Sequence, residues 1–540
     1  MKTTGFRSFV LYILLFAFCG GFVWFLINLA LNGSTWATQP YNGHIYGDDT
    51  AVSAGTITDR SGMVLAKTED GSRVYAESED IRRALLHTVG DSSGYIGTAV
   101  QAVHRSQLVG YNPITGLART VLSDLGNNLV LTVDANASAA AYNAFNGRNG
   151  SAFVYNYKTG EVLVKVSAPT YDPMNVPEDL NDNEEYNGVF LDHTLSSTYT
   201  PGSIFKLVTA AAAMEYLPDW DTRTYTCEEE MDIGSGKVTC LNYHGELNLE
   251  QALGYSCNLY FAQLAEDIGA ENLKKKAEEM GFGKNFSFDS VTTDKSSTNL
   301  SSSTSAIDLA WSSVGQADVM ANPYHMALLM GAIANGGSTP EPYLTGGKSR
   351  TSYTLTDSST AASLHSMMRN NVVNYYGEYL FDGYSLCAKT GTAELDDKNP
   401  NCWIVGFSED ESTPYAFAVC VQEGTSGLYT AGEVVSAALN AITGNCSSVN
   451  HSEATNKVSS AFEKVVVSKG KAFGRRSQTA RPFYLPKIRK IGRMVRWTVL
   501  PQGTLLRGSL KNSPQRILRN KATPHPRFFI ESAALLYAFV

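Results

Sequence analysis

The feature that most constrains this chain is an uninterrupted apolar run near its N-terminus. Phe9–Leu31 contains 23 residues without a charge, and Lys2 and Arg7 precede it. As a helix rising about 1.5 Å per residue, the run can cross the roughly 30 Å hydrocarbon core of a bilayer. A cleaved signal peptide is the alternative, because Thr35 and Ala37 suit a cleavage site, but such peptides typically have apolar cores of about 7–15 residues. We therefore predict a retained membrane anchor at residues 1–31 with a cytoplasmic N-terminus.

Charge is divided unevenly along the chain. The formal net charge is −9, but the residues from Lys469 onward contain 16 Lys and Arg against one acidic residue, so that end carries +15 and residues 1–468 carry −24. Nucleic-acid binding needs a basic face that neutralises phosphates, so the acidic body argues against a nucleic-acid partner. Residues 447–540 lack periodicity and are predicted to be a linker and a disordered basic tail. The alternative is a tail that binds anionic polymers or lipid headgroups.

The body of the chain separates into a small and a large segment. Residues 32–54 are polar and turn-rich and are predicted to form a stalk. Residues 55–149 contain short alternating runs and too little apolar sequence for a large core, which predicts a small, mainly-β pedestal domain. Residues 150–446 begin with a hairpin, continue with apolar helices and end with strands. This order predicts an α/β (α+β) sandwich of helices around an antiparallel sheet.

Three short motifs in the large segment carry side chains suited to acyl transfer. They are Ser203-Ile-Phe-Lys206, Ser256-Cys-Asn258 and Lys389-Thr-Gly-Thr392. In the first motif an apolar helix follows Pro201-Gly202, and a spacing of three places the Ser203 and Lys206 side chains on one helix face. Burial lowers the pKa of a lysine, so a neutral Lys206 amine can take the proton of the Ser203 hydroxyl. The alternative is a solvated lysine beside a helix-capping serine.

The other two motifs place polar groups in apolar surroundings. Ser256 and Asn258 interrupt an apolar segment, which is costly unless they face a cleft or form hydrogen bonds. Gly391 lies on a predicted strand, where the missing side chain lets a peptide-like ligand approach the strand edge. The same patterns recur at Lys158-Thr-Gly160, in a predicted hairpin turn, and at Ser297/Asn299, in polar sequence. We assign no function to these repeats.

These motifs, in this order, resemble the class B penicillin-binding proteins, the monofunctional D,D-transpeptidases of peptidoglycan synthesis. The resemblance covers about residues 55–445. Gly55–Ala66 resembles the first pedestal box of the family, and Tyr199–Lys206, Asn335–Gly337 and Trp403–Phe407 resemble its catalytic domain. Cys257 stands where class A β-lactamases have Asp, which favours a transpeptidase.

The resemblance implies an acyl-enzyme formed on peptidoglycan stem peptides, with β-lactams acylating the same serine. It implies Ser203 as nucleophile, Lys206 as general base and Ser256 as proton relay, with Asn258, Lys389, Thr390, Gly391 and Thr392 as substrate-binding residues. The backbone N–H groups of Ser203 and Thr392 are implied as the oxyanion hole. An extracellular or periplasmic catalytic domain and a membrane glycosyltransferase as partner are implied as well.

Two other functions stay open at this point. One is hydrolysis, by a D,D-carboxypeptidase or a class D-like β-lactamase, although such enzymes need no pedestal domain of about 90 residues. The other is a non-catalytic penicillin-binding sensor or scaffold, against which the intact motifs argue.

The cysteines and histidines provide few further constraints. Cys227 and Cys240 flank a polar stretch that is predicted to be a hairpin, so the two residues can meet. They could form a disulfide or stay two free thiols, and we leave both alternatives open. An oxidising compartment favours the disulfide, but the distance between the two residues is not known from the sequence. Cys387, Cys402 and Cys420 lie in apolar strands and are expected to be small core residues. The nine His are scattered and no C-x-x-C occurs, so we expect neither a metal nor a cofactor.

Overall fold

The N-terminal apolar run forms one long helix. The structure, a computed structural model, describes residues 2–37, 54–112, 116–117, 127–346, 351–381, 383–395 and 398–444. The first helix, α1, spans Lys2–Ala37 and so continues beyond Leu31 into the predicted stalk. Among the described residues it is the one helix long and apolar enough to cross a membrane. Most of the predicted stalk and the whole predicted tail at 447–540 lie outside the described residues.

Strands and helices are numbered in chain order. The strands are β1 Ile57–Thr58, β2 Val64–Glu69, β3 Ser72–Tyr75, β4 Tyr111–Asn112, β5 Gly116–Leu117, β6 Leu129–Val130, β7 Gly150–Asn156, β8 Val162–Ala168, β9 Tyr225–Cys227, β10 Glu230–Ile233, β11 Gly236–Thr239, β12 Gly245–Leu247, β13 Ser287–Phe288, β14 Val291–Thr292, β15 Ser338–Pro340, β16 Ser352–Thr354, β17 Leu386–Leu395, β18 Lys398–Ser408 and β19 Tyr415–Val421. The α-helices after α1 are α2 Glu79–Ala84, α3 Leu86–Val89, α4 Val100–Val103, α5 Arg105–Val109, α6 Ala135–Ala144, α7 Lys206–Tyr216, α8 Leu249–Gly254, α9 Asn258–Ile268, α10 Ala270–Glu279, α11 Ala306–Ser313, α12 Pro323–Ala334, α13 Ser358–Asn370 and α14 Gly432–Thr443.

The segment at residues 55–149 contains a small sheet with the strand order β3-β2-β1-β6. Strand β1 pairs antiparallel with β2 and parallel with β6. The short helices α2 to α5 lie in the same segment, whereas α6 packs on the five-stranded sheet of the large segment. The segment predicted to be mainly β is therefore built from both kinds of element. The reason is that a short apolar run has no periodicity that separates a helical turn from a strand.

The large segment contains a five-stranded sheet with the order β17-β18-β19-β7-β8. All four strand pairs are antiparallel, and β7, near the start of the segment, pairs with β19 near its end. Because neighbouring residues of a strand point to opposite faces, Phe153 and Tyr155 pack on one side and Val154 packs on the other. Helices α6 and α14 cover the Val154 side, and α7 and α12 lie in the core on the other side. The predicted sandwich of helices around an antiparallel sheet is confirmed.

Candidate active site

Ser203 lies in a tight turn that leads directly into α7. Gly202–Phe205 forms one 3-10 turn, and α7 begins at Lys206. Gly202 has φ +55°, a left-handed conformation that residues with a side chain rarely adopt. A Cβ at this position would also lie 3.1 Å from Ala393 Cα. Glycine therefore lets the turn that presents Ser203 lie directly against β17.

Lys206 places its amine beside the Ser203 hydroxyl. Its Nζ lies 3.1 Å from Ser203 Oγ and 2.8 Å from Asn258 Oδ1, and it also donates to the backbone carbonyl of Ser256. Every one of these acceptors is uncharged. The Lys206 side chain is completely buried, and this burial, together with the charge of Lys389, lowers the pKa of Lys206 to about 7. A neutral amine is thus accessible near neutral pH, as predicted from the apolar helix.

Ser256 connects the two lysines of the site. Its Oγ lies 3.2 Å from Lys206 Nζ and 3.1 Å from Lys389 Nζ. The residue has φ +57°, which costs roughly 1–3 kcal/mol for a residue with a side chain and persists only where the surroundings enforce it. Here the chain must turn from α8 into α9, and Cys257 N–H donates to Ala252 O at 2.9 Å. The resulting position suits a hydroxyl that passes a proton between two amines.

Asn258 is the first residue of α9 and holds the site together. Its Oδ1 accepts from Lys206, while its Nδ2 donates to Thr239 O at 3.0 Å. The amide thus connects the lysine to the end of β11. Its predicted contact with substrate stays a prediction.

Lys389 enters the site from β17. The side chain is completely buried, and burial lowers its pKa to about 7. Its Nζ donates to Ser256 Oγ and to Thr390 O, the latter at 2.9 Å. Thr390 N–H donates to the Tyr376 hydroxyl at 3.2 Å. The sequence analysis missed Tyr376, because a single tyrosine outside the three motifs carries no signal of its own.

Gly391 and Thr392 are consecutive residues of the same strand. The Thr392 side chain is exposed, and its Oγ1 accepts from Gly427 N–H at 3.3 Å. A Cβ at Gly391 would lie 2.6 Å from Pro201 O and 3.2 Å from Ile204 Cγ2. The space beside Gly391 is therefore taken by the turn that carries Ser203, which is a different reason for glycine from the ligand approach that we predicted.

The alternative left open for Cys227 and Cys240 is decided in favour of free thiols. Both are free cysteines, as are Cys387, Cys402 and Cys420, which are buried. These last three are therefore the small core residues that the strand pattern predicted.

The chain belongs to the family described as penicillin binding protein transpeptidase domain, whose model matches residues 150–443. Peptidoglycan D,D-transpeptidase PbpA of Mycolicibacterium smegmatis is 28% identical over 450 residues, which cover 74% of this chain and 90% of that protein. Penicillin-binding protein 3 of Bacillus subtilis is 28% identical over 407 residues, covering 70% of this chain and 59% of that protein. The resemblance seen in the motifs is confirmed.

Solved structures show the same fold. The D,D-transpeptidase domain of peptidoglycan glycosyltransferase from Eggerthella lenta superposes with a TM-score of 0.61 at 27% identity, covering 73% of this chain and 98% of that one. The penicillin G acyl-enzyme complex of penicillin-binding protein A from M. tuberculosis gives a TM-score of 0.62 at 25% identity, covering 72% of this chain and 99% of that one.

Proposed function

We propose that this chain is a membrane-anchored peptidoglycan D,D-transpeptidase that cross-links stem peptides through an ester on Ser203. The observation that carries the proposal is the buried Lys206 amine, 3.1 Å from the Ser203 hydroxyl and surrounded by uncharged acceptors. A serine hydroxyl is a weak nucleophile until a neighbouring base accepts its proton. The name peptidoglycan D,D-transpeptidase, which a relative carries, supplies the substrate class, peptidoglycan. The family resemblance implies that the substrate is a stem peptide ending in D-Ala-D-Ala.

In the acylation step, Ser203 Oγ attacks the carbonyl carbon of the penultimate D-Ala. Its proton passes to Lys206 Nζ, and the backbone N–H groups of Ser203 and Thr392 stabilise the negative charge on the carbonyl oxygen. The amide bond to the terminal D-Ala then breaks. The leaving amine receives a proton from Lys206 through the Ser256 hydroxyl, which lies within hydrogen-bond distance of that lysine.

Substrate binding sets the charges of the two lysines. The terminal carboxylate of the stem peptide lies beside Lys389 and Thr390 and favours a protonated Lys389, because an opposite charge raises the pKa of an amine. The charge on Lys389 already contributes to the lowered pKa of Lys206. The bound carboxylate therefore keeps one proton on Lys389 and leaves Lys206 neutral, ready to act as base.

The second step transfers the acyl group. An amine of a neighbouring strand attacks the Ser203 ester, and its proton passes to the neutral Lys206. Lys206 then gives this proton to Ser203 Oγ as the ester bond breaks, which regenerates the Ser203 hydroxyl and the neutral lysine. A β-lactam forms the corresponding ester on Ser203 when its ring amide opens. The acceptor attack on that ester is blocked when the opened ring stays in the site, so the β-lactam ester is long-lived.

We propose that the reaction takes place at the outer face of the cell membrane. Helix α1 serves as the single span, with Lys2 and Arg7 on the cytoplasmic side and the transpeptidase segment extracellular or periplasmic. Stem peptides are cross-linked on glycan strands, so a membrane glycosyltransferase that polymerises those strands is the partner we propose.

Labelling with a fluorescent penicillin tests the proposal. Ser203→Ala removes only the nucleophilic oxygen and is expected to abolish covalent label, and Lys206→Ala is expected to slow labelling by a large factor, because removing either member of a nucleophile and base unit disables both. Ser297→Ala and Lys158→Ala are matched controls, since they remove the same groups from the repeats that lie outside the site. Covalent labelling of Ser203→Ala at the wild-type rate would refute the assignment.

A deacylation time course separates the alternatives. Label that persists for hours supports the transpeptidase, and rapid loss of label would indicate a class D-like β-lactamase. Incubation with a D-Ala-D-Ala peptide and an acceptor amine distinguishes transfer from hydrolysis, because a carboxypeptidase releases D-Ala without forming the cross-linked product. Absence of label in the wild-type chain would indicate a scaffold.

A further inference from the structure

Four metal-binding side chains meet next to the Ser256-Cys-Asn258 motif. The sulfur atoms of Cys227, Cys240 and Cys257 and one ring nitrogen of His244 all lie within 4.8 Å of one another. Cys227 and Cys257 are completely buried. The nucleophile and the base of the proposed reaction use none of these atoms, so the cluster needs an explanation of its own.

Three of the six ligand–ligand distances within the cluster match those of a tetrahedral metal site, and the other three are at most 4.8 Å. Zinc–sulfur bonds of about 2.3 Å and zinc–nitrogen bonds of about 2.0 Å place tetrahedral ligands about 3.8 Å apart for two sulfurs and about 3.5 Å for a sulfur and a nitrogen. The Cys240 and Cys257 sulfurs are 3.9 Å apart. His244 Nδ1 lies 3.4 Å from Cys227 Sγ and 3.6 Å from Cys240 Sγ.

Three chain segments supply the four ligands. Cys227 ends β9, which pairs with β12 so that Cys227 lies opposite Gly245, the residue after His244. Cys240 follows β11, and its N–H donates to Glu229 O at 2.7 Å. Cys257 caps the N-terminus of α9. The pairing of β9 with β12 and the β10–β11 hairpin thus bring together residues that are separated by 13, 4 and 13 positions in the sequence.

We infer that Cys227, Cys240, His244 and Cys257 form a Cys3His site for a structural Zn²⁺ ion. Thiolate and imidazole ligands in a tetrahedron select zinc, and four protein ligands leave no open position for catalysis. Binding releases the three thiol protons to solvent and gives the site a net charge of −1. The proposal replaces our sequence-based expectation of no metal, which rested on the absence of short ligand spacings.

The surroundings suit thiolate and imidazole ligands. Cys257 Sγ accepts the N–H of Tyr260 at 3.4 Å, and a helix N-terminus stabilises a thiolate. The His244 ring stacks on Tyr255 with ring centroids 5.1 Å apart, which orients its Nδ1 towards the sulfurs. A disulfide would explain why two of the cysteines lie close together, but not why the third cysteine and His244 Nδ1 lie beside them. A metal ion explains the positions of all four side chains.

Zinc at this place would hold the second catalytic motif. Cys257 lies between Ser256 and Asn258, both of which contact Lys206. Thr239, the acceptor of the Asn258 amide, is the neighbour of Cys240. The ion therefore ties the motif to β9, β11 and β12, and makes Cys257 a positioning residue. This consequence rests on the proposed function, whereas metal binding itself does not.

The test is the zinc content of the full-length protein, purified with reductant and dialysed against Zn²⁺. We expect about one zinc per chain for the wild type and less than about a tenth of that for Cys240→Ser and Cys257→Ser. Cys402→Ser is the matched control, because it makes the same change at another buried cysteine, and it should keep its zinc. Replacement of zinc by Co²⁺ in the wild type should give the visible spectrum of tetrahedral cobalt thiolate, a readout that does not depend on how the variants fold.

Several results would overturn the inference. The inference is wrong if the wild-type protein contains no zinc after this treatment, or if both variants retain zinc. It is also wrong if peptides prepared without reductant contain a disulfide between two of these cysteines. For the positioning role, chelation should slow penicillin acylation, by about 100-fold for a 1 Å displacement, and added Zn²⁺ should restore the rate. Unchanged acylation in zinc-free protein would refute that role. Ser203→Ala should bind zinc normally, so a failure of the proposed reaction would be visible separately.

Discussion

Replacing Gly391 with alanine tests whether the packing of β17 against the Ser203 turn controls catalysis. The added Cβ would lie 2.6 Å from Pro201 O and 3.4 Å from Ile204 N. Contacts under 3.0 Å are essentially absent from real structures, and the nearest atom is backbone rather than the end of a flexible side chain. The Pro201 carbonyl must therefore retreat by about 0.8 Å to reach ordinary contact.

Two effects are expected from this retreat. Overpacking of this kind costs about 1–3 kcal/mol of stability, which should lower the unfolding midpoint by several degrees. Because Pro201 directly precedes the turn that carries Ser203, the nucleophile moves with it, and a displacement near 1 Å costs up to about 100-fold in rate. We expect second-order acylation by a fluorescent penicillin to fall between about 10-fold and 100-fold.

The assay combines stopped-flow acylation with thermal unfolding, and Gly97→Ala is the matched control. A Cβ at Gly97 meets nothing within 4 Å, so that variant should acylate and unfold like the wild type. Gly391→Ala that acylates within twofold of the wild type would refute the reasoning. Slow acylation with an unchanged unfolding midpoint would instead show that Gly391 makes room for ligand, as the sequence alone had suggested.

Three further predictions concern pH, the carboxylate contact and the tail. Only the neutral Lys206 amine can accept a proton, and the pKa of Lys206 is lowered to about 7. The acylation rate should therefore fall about tenfold per pH unit below about pH 7. An acylation rate that still rises at pH 9 would contradict this prediction. Lys389→Ala should slow acylation by about 10-fold to 150-fold through loss of a charged hydrogen bond, whereas Lys158→Ala, whose amine contacts Asn335, should leave it unchanged. Truncation after Ser460 should leave acylation at the wild-type rate, because every residue assigned to the site precedes Ser460. If the truncated protein also loses a salt-sensitive association with the cell envelope, the basic tail has a role in binding anionic polymer or lipid.

Local spacing accounts for the features that could be predicted. The span at Phe9–Leu31 follows from length and the absence of charge. The contact between Ser203 and Lys206 follows from a separation of three residues in one helical turn, and the structure places the two atoms 3.1 Å apart. The order of the motifs was specific enough to indicate the family and, through it, the fold.

The Cys and His cluster shows where sequence reading ends. Cys227, Cys240, His244 and Cys257 have no recognisable metal-binding spacing, and their proximity depends on strand pairing and on a helix cap. Tyr376 was missed for the same reason, since its hydroxyl reaches Thr390 only because β17 packs beside it.

The sequence by itself determined which motifs the chain contains and which family they indicate, and the tertiary structure decided how the side chains of those motifs are arranged and charged. Ser256 lies 50 positions from Lys206 and 133 from Lys389 along the chain, yet its hydroxyl is within 3.2 Å of both amines. Burial, and for Lys206 also the charge of Lys389, lowers the pKa of each lysine. Chain spacing specifies contacts only within one helical turn or between neighbours on a strand, whereas desolvation and charge depend on segments that only the packed fold brings together.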